Sequence, residues 1–176
     1  FSDCEGSAVE VNDIAIERYF LRPATNDSSS GAIKNLVLAC DAGRVDFAAG
    51  KIRTISGTDP RNFGQAGQEF ITNVDQFKIL LGAQYDSGSN AGQIMYLPSS
   101  AYLIDANKPA ITAVKIGLIV HGSTPILGSD DKTSFMLLGQ NNVLKIDTAR
   151  QKQVRTTYET TTFLRNARVV NVKTSL

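Results

Sequence analysis

The clearest pattern along the chain is an alternation of apolar and polar residues with a period of two. Val114, Ile116, Leu118 and Val120 occupy alternate positions of 112–121, and Ile14, Ile16 and Phe20 share one side of 14–20. Such alternation is typical of strands, whose successive side chains point to opposite faces. Residues 155–164 are almost all β-branched or aromatic, which also favours a strand. The other predicted strands are 35–39, 76–81, 93–97 and 134–138.

Stretches rich in Gly, Pro, Asn, Asp and Ser separate these segments at 26–31, 56–60, 86–90 and 128–131. They are typical turn sequences, so the strands are predicted to form antiparallel sheets. Helix signals are sparse. Phe70, Val74 and Phe77 have helical spacing after residues 65–69, and we expect a short helical turn there that leads into the strand. No repeat or composition shift divides the 176 residues, so a single domain over 1–176 is predicted.

Composition indicates an ordinary globular protein, with 42% hydrophobic and 20% charged residues. The net charge is only +1, but it is unevenly distributed: residues 1–31 carry −4 and residues 145–173 carry +5. We interpret these ends as solvated or as neighbours of each other; the alternative is a basic rim that faces a phosphate or an acidic partner. The local excess gives no strong nucleic-acid signal.

The residues that carry catalysis or bind metals are scarce. The one histidine, His121, has no G-x-S-x-G serine motif to accompany it, and a structural or surface role is expected. Two cysteines and one histidine do not supply a zinc-ligand cluster. Asp130-Asp131 provides too few oxygens for calcium, and Asn26-Asp27-Ser28 matches the glycosylation pattern by chance alone often enough to be uninformative. No catalytic, cofactor or metal residue is therefore predicted.

The two cysteines, Cys4 and Cys40, leave two readings open from their number alone. They form one disulfide in an oxidising compartment, or they are two buried thiols in a reducing one.

Three segments appear in a suggestive order. Asp3-Cys4 precedes Arg18-Tyr19-Phe20 and Cys40; residues 70–82 follow; and 155–166 end in Leu164-Arg165-Asn166. Together they resemble the globular head of PilW-like minor pilins of type IV pili. The resemblance implies an α+β pilin-like fold, mainly β with antiparallel sheets in this fragment. Phe1 is followed by Ser2-Asp3-Cys4, so we expect the family's long N-terminal helix to be absent from these residues.

What the resemblance implies for function is assembly by protein–protein interaction. The expected roles are priming of pilus assembly and a place in the tip complex, with other minor pilins and a tip adhesin as partners. The resemblance also implies contributions to cell adhesion and twitching motility. The full-length protein is expected to be anchored through the missing helix in the inner membrane, facing the periplasm, and then to reach the extracellular tip. No enzyme activity or cofactor is implied, and Cys4 and Cys40 are expected to be paired.

Two alternatives remain beside this hypothesis: a J-type pseudopilin of type II secretion, and a secreted β-rich binding module. The assembly hypothesis predicts an exposed apolar strip where a helix would pack, formed by Ile14, Ile16 and Phe20 or by the face from Val114 to Val120. The candidate binding anchors are Tyr19, Phe63, Tyr102 and Arg165.

Overall fold

A computed structural model describes residues 1–11, 13–25, 35–46, 51–53, 63–127, 132–144, 152–165 and 167. The chain divides into two compact units. The first unit is Phe1–Asp75 with His121–Ser129 and Asp147–Val154, and the second is Gln76–Val120 with Asp130–Ile146 and Arg155–Leu176. In the described part of the chain, no helix has both the length and the apolar character needed to cross a bilayer.

The first unit is built on a four-stranded sheet. Its strands are β1 (Ile14–Pro23), β2 (Leu36–Asp46), β3 (Lys51–Arg53) and β4 (Gln68–Ile71). β1 and β2 pair antiparallel along their whole length, from Ile14↔Val45 to Pro23↔Leu36. β3 and β4 pair with different parts of β2 on its other side. β2 is thus central, which explains why its residues from Val37 to Arg44 are all buried.

A second four-stranded sheet has the order β10-β7-β5-β6. The strands are β5 (Val74–Gln84), β6 (Ile94–Leu97), β7 (Ala110–Pro125) and β10 (Gln153–Phe163). β5, β7 and β10 begin or end in the first unit and continue in the second. A separate hairpin consists of β8 (Ser134–Leu137) and β9 (Gln140–Val143).

The β8–β9 hairpin packs on one face of this sheet within the second unit. Its side chains Phe135 and Leu137 form a buried cluster with Ile119 of β7. Close approach requires Gly117, because a Cβ there would lie 2.9 Å from side-chain atoms of Leu137 and Leu138. The same hairpin reaches β5, where Lys78 donates to the Asn142 side chain.

The predicted fold class is confirmed, since the chain is mainly β with antiparallel sheets and few helical residues. Every predicted strand overlaps an observed one, and the pattern missed only the short strands β3, β4 and β9. The single-domain prediction over 1–176 stays a prediction beside the two compact units.

The expected short helical turn after residues 65–69 is wrong. Residues Gln68–Ile71 form β4, and Phe70, Val74 and Phe77 lie in two successive strands. Gly67 has φ +63, where a Cβ would collide with the Cys40 carbonyl, and Asn73 has φ 59. These left-handed residues are incompatible with a continuous helix across the segment. The helical structure lies elsewhere, in α1 (Ser99–Ile104) and a 3₁₀ turn at Gly88–Asn90.

Candidate interaction surface

A disulfide between Cys4 and Cys40 joins the N-terminal segment to the central strand β2. The predicted pairing is therefore present in the structure. Cys40 is fully buried, with its backbone paired to Tyr19 of β1 and to Gln68 of β4. Because the residues of β2 from Val37 to Arg44 are all buried, the bond attaches the N-terminal segment to the core of the first sheet.

Charged side chains reinforce this attachment. Arg44 donates from Nη1 to Asp3 Oδ2 at 2.8 Å and from Nη2 to the Ala8 carbonyl at 2.7 Å. Glu17 accepts from the Cys4 N–H, and Glu5 accepts from the Ala42 N–H. Asp3, Glu5 and Glu17 are thus each engaged inside the first unit, where they help to attach the N-terminal segment.

One cluster of metal-type ligands occurs among the described residues. The sulfurs of Cys4 and Cys40 and a carboxylate oxygen of Glu17 all lie within 4.8 Å of one another. The two sulfurs are bonded to each other, however, and a metal ligand must be a thiolate. In this oxidised state the cluster offers a single carboxylate and does not form a metal site.

On the opposite face of the first sheet, Arg18 lies between two aromatic rings. Its guanidinium carbon is 4.3 Å from the centre of the Phe20 ring and 5.3 Å from that of Phe63. It also donates to the buried carboxylate of Asp41 at 2.7 Å and to the Gln65 carbonyl. Cation–π and charge-assisted contacts together hold the 63–67 loop on this face. Phe63, predicted as a binding anchor, is half-buried in this loop contact.

Tyr19 occupies the disulfide-bearing face, because neighbouring strand residues alternate between faces. Its ring meets Phe70 edge to face, with the centres 6.1 Å apart, and both side chains are substantially exposed, at 40% and 60%. The hydroxyl donates to Glu17. Partial burial and this carboxylate raise the pKa of Tyr19 to about 12. Tyr19 and Phe63 therefore lie on opposite faces and do not form one patch.

His121 is buried in the first unit, so the surface role considered for it is excluded. Its Nδ1 lies 3.2 Å from Asp75 Oδ1, both side chains are 1% exposed, and its N–H donates to the Asn73 carbonyl. The imidazole is closed to solvent in this position. The geometry favours a structural role for His121 at the turn between β4 and β5.

In the second unit, the sheet face opposite the hairpin is apolar and only partly covered. Lys78 and Gly117 contact the hairpin, so alternation places Phe77, Ile79 and Leu81 of β5 on the other face. Ile116 and Leu118 of β7 share that face. Ile79 is 41% exposed, and the other four are half-buried. We call these five residues the open face.

The two expected apolar strips can now be compared. Ile14 is exposed, and Ile16 and Phe20 are half-buried, but Phe20 is covered by Arg18. Val114, Ile116, Leu118 and Val120 of β7 are all half-buried, and Ile116 and Leu118 belong to the open face. Neither strip is fully buried, and the open face extends the second strip onto the neighbouring strand β5.

The remaining anchors lie in the second unit. Tyr102 of α1 donates to the Pro109 carbonyl and has Lys108 Nζ 5.7 Å from its ring centre, so it is packed locally. Arg165 is exposed just after β10. In the same unit the Tyr85 hydroxyl donates to Asp105 at 2.7 Å, which raises the pKa of Tyr85 and lowers the pKa of Asp105.

Several predicted features lie outside the described residues: the glycosylation pattern beginning at Asn26, the Asp130-Asp131 pair, and about half of the basic stretch, at 145–151, 166 and 168–173. Sequence reasoning missed the buried charges Asp41 and Arg44. They sit among small residues of β2 and break its apolar run, which is the only signal that could have pointed to them.

A disulfide that ties the N-terminal segment to a β-sheet, together with the open face, is typical of an extracytoplasmic β protein that acts through its surfaces. The family model described as type IV pilus-assembly protein W matches residues 50–166, about two-thirds of the chain. The chain belongs to this family and is a type IV pilus-assembly protein associated with the cell envelope or pilus. Comparison with curated proteins and with solved structures found no match.

Proposed function

We propose that the chain is the head of a minor pilin, which takes part in priming type IV pilus assembly and in the pilus-tip complex. Its partners in this proposal are other minor pilins and a tip adhesin. Before assembly the full-length protein is held in the inner membrane, facing the periplasm, and it then moves to the extracellular tip. Contributions to cell adhesion and twitching motility follow from that position.

The open face is the observation that carries the proposal. Phe77, Ile79 and Leu81 with Ile116 and Leu118 present a contiguous row of aliphatic and aromatic side chains across two neighbouring strands. A soluble protein exposes such a surface where another element packs. In the proposed pilin, that element is the long N-terminal helix through which the protein is anchored and assembled.

The proposal assigns no catalytic step to the chain. Two observations support this. His121 is buried against Asp75, so its imidazole is not accessible as a base. Both cysteines are oxidised, so neither offers a thiolate nucleophile. We further propose that residues 1–176 act as a single head domain. Limited proteolysis followed by size-exclusion chromatography checks this, because fragments of a single domain that is cut in an exposed loop stay associated, whereas independent domains separate.

The test is complementation of a gene deletion in the native host, with surface pili counted by electron microscopy. Deletion is expected to remove most pili and the full-length gene to restore them. Ile79→Asp, which places a charge on the open face, is expected not to restore them. Met136→Asp is the matched control, since Met136 is exposed on the hairpin, away from the open face, and should behave as wild type.

A different outcome would redirect the assignment. If the deletion leaves piliation intact and blocks protein secretion, the chain acts as a pseudopilin. If neither process changes, an assembly role is wrong.

A further inference from the structure

β10 forms one edge of the second sheet, and its outer backbone groups have no partner strand among the described residues. The sheet order gives β10 one neighbour, β7, and the Leu164 N–H donates to the Thr112 carbonyl of that strand at 2.8 Å. Hydrogen-bonding direction alternates along an antiparallel strand. The N–H and C=O groups of Thr157, Glu159, Thr161 and Phe163 therefore point away from β7, and no strand of the described chain pairs with that outer side.

The edge is also unprotected by the devices that usually prevent strand addition. Natural edges are short, bulged, or interrupted by Lys, Pro or inward charges. β6, the other edge of this sheet, has four residues and is followed by Pro98. β1, the long edge of the first sheet, carries Glu17, Arg18 and Arg22 and ends at Pro23.

From Thr156 to Leu164, by contrast, β10 contains no Pro, Gly or Lys and a single charge, Glu159. That carboxylate is engaged, because it accepts from the Leu138 N–H at 2.6 Å. All eight residues from Tyr158 to Arg165 are exposed. The strand combines five threonines with Tyr158 and Phe163, a composition that favours pairing with another strand.

We propose that the outer edge of β10 is a β-augmentation site for an extended strand of a sibling minor pilin. Backbone hydrogen bonds to Thr157, Glu159, Thr161 and Phe163 supply the affinity, as in other strand-addition complexes. This inference rests on the proposed function and names the surface through which it operates.

Charge at the C-terminal end of the edge sets the chemistry of the incoming strand. Arg165 is exposed there, just after β10, and is positive. Like charges opposite one another destabilise a strand pair, and opposite charges stabilise it. The partner strand is therefore uncharged in its middle, with β-branched residues to match the threonines, and carries an acidic rather than a basic residue opposite Arg165.

The experiment measures binding of the purified head to the purified heads of the minor pilins encoded with it, by calorimetry. Thr161→Pro removes an outward N–H that no described strand uses, and its ring blocks an approaching strand. Thr161→Val is the matched control, because it keeps the N–H and the β-branched shape. Circular dichroism and thermal unfolding establish that both variants fold.

We expect a complex with at least one sibling head that Thr161→Pro weakens about ten-fold or more, whereas Thr161→Val stays within about two-fold. Hydrogen exchange should show slowed exchange of the Thr157, Glu159 and Phe163 amides in the complex. A complex that tolerates both variants equally, or leaves these amides unprotected, overturns the edge proposal while the minor-pilin function stands.

Two other outcomes also overturn it. If no sibling head binds the wild-type head, the edge is not such a site; the piliation assay, which uses the open face, then decides the proposed function separately. If the head instead forms a dimer that Thr161→Pro dissociates, the edge pairs with a second copy of the chain.

Discussion

Arg44 and Asp3 form an ion pair with an Nη1–Oδ2 distance of 2.8 Å, and both side chains are almost completely buried. The two residues are 41 positions apart, and the pair lies beside the Cys4–Cys40 bond on the same two segments of chain. A covalent and an ionic link thus attach the N-terminal segment to β2 at nearly the same place.

Breaking this pair from one side should be costly. Asp3→Ala leaves the buried Arg44 guanidinium with only the more distant Asp13 carboxylate, 3.5 Å from Nε, and removes the acceptor of the Glu5 and Ser7 N–H groups. We expect the free energy of unfolding to fall by about 3–5 kcal/mol. Urea denaturation measures it. The double variant Asp3→Ala/Arg44→Met removes both charges of the pair and should recover part of that loss. If the double variant loses as much stability as Asp3→Ala or more, the cost of Asp3→Ala does not come from the unpaired charge of Arg44.

The disulfide is expected to stabilise the head through the unfolded state. It joins residues 36 apart, for which the loop-entropy relation gives about 4 kcal/mol. Cys4→Ser/Cys40→Ser should lower the free energy of unfolding by up to that amount. Mass measurement of protein from an oxidising compartment, with and without reduction, should show a two-proton difference. Two free thiols in that protein would contradict the pairing.

Glu69 should make stability fall in acid. Its carboxylate accepts from the Thr25 N–H and hydroxyl and from Arg22, and these contacts lower the pKa of Glu69 below its ordinary 4.5. The folded state therefore binds this proton more weakly than the unfolded state. The stabilisation is present above pH 4.5 and is lost as the pH falls through the lowered folded pKa. Melting temperatures measured from about pH 6 to about pH 3 should fall less steeply for Glu69→Gln than for wild type; parallel curves would refute this.

Gly117 should be intolerant of a side chain, whereas Gly122 on the same strand should accept one. An added Cβ at Gly117 meets Leu137 and Leu138 at 2.9 Å, but at Gly122 the nearest atom is 4.0 Å away. Overpacking of this kind costs about 1–3 kcal/mol. Gly117→Ala should lower the unfolding free energy by that amount, and Gly122→Ala should leave it unchanged or slightly raised. Similar values for the two variants would mean that the hairpin does not pack tightly on β7.

Alanine substitutions at Ile79 and Ile119 should show which face of the second sheet is packed as a core. Ile119 is fully buried under the hairpin and Ile79 lies on the open face. Ile119→Ala is expected to cost about 2–5 kcal/mol in unfolding free energy, and Ile79→Ala clearly less. The reverse order, from the same denaturation experiment, would show that the open face is the better-packed one.

The sequence alone determined the long strands β1, β5 and β7, because period-two alternation depends only on which residues are apolar. It also indicated the family, through Asp3-Cys4, the segment 70–82 and Leu164-Arg165 just after β10. The helical spacing of Phe70, Val74 and Phe77 misled, because apolar spacing does not report the left-handed backbone at Gly67 and Asn73.

Only the tertiary structure decided which apolar face is covered and which charges are buried. Alternation identifies the apolar residues of β5 and β7 but does not say that the β8–β9 hairpin covers the opposite, Gly117 side and leaves Ile79 and Leu118 partly exposed. The partners of Arg44 and Asp41 come from segments 41 and 23 positions away. Such pairs form because burial leaves a charge no water to bind, and only the packed chain determines which charges are buried.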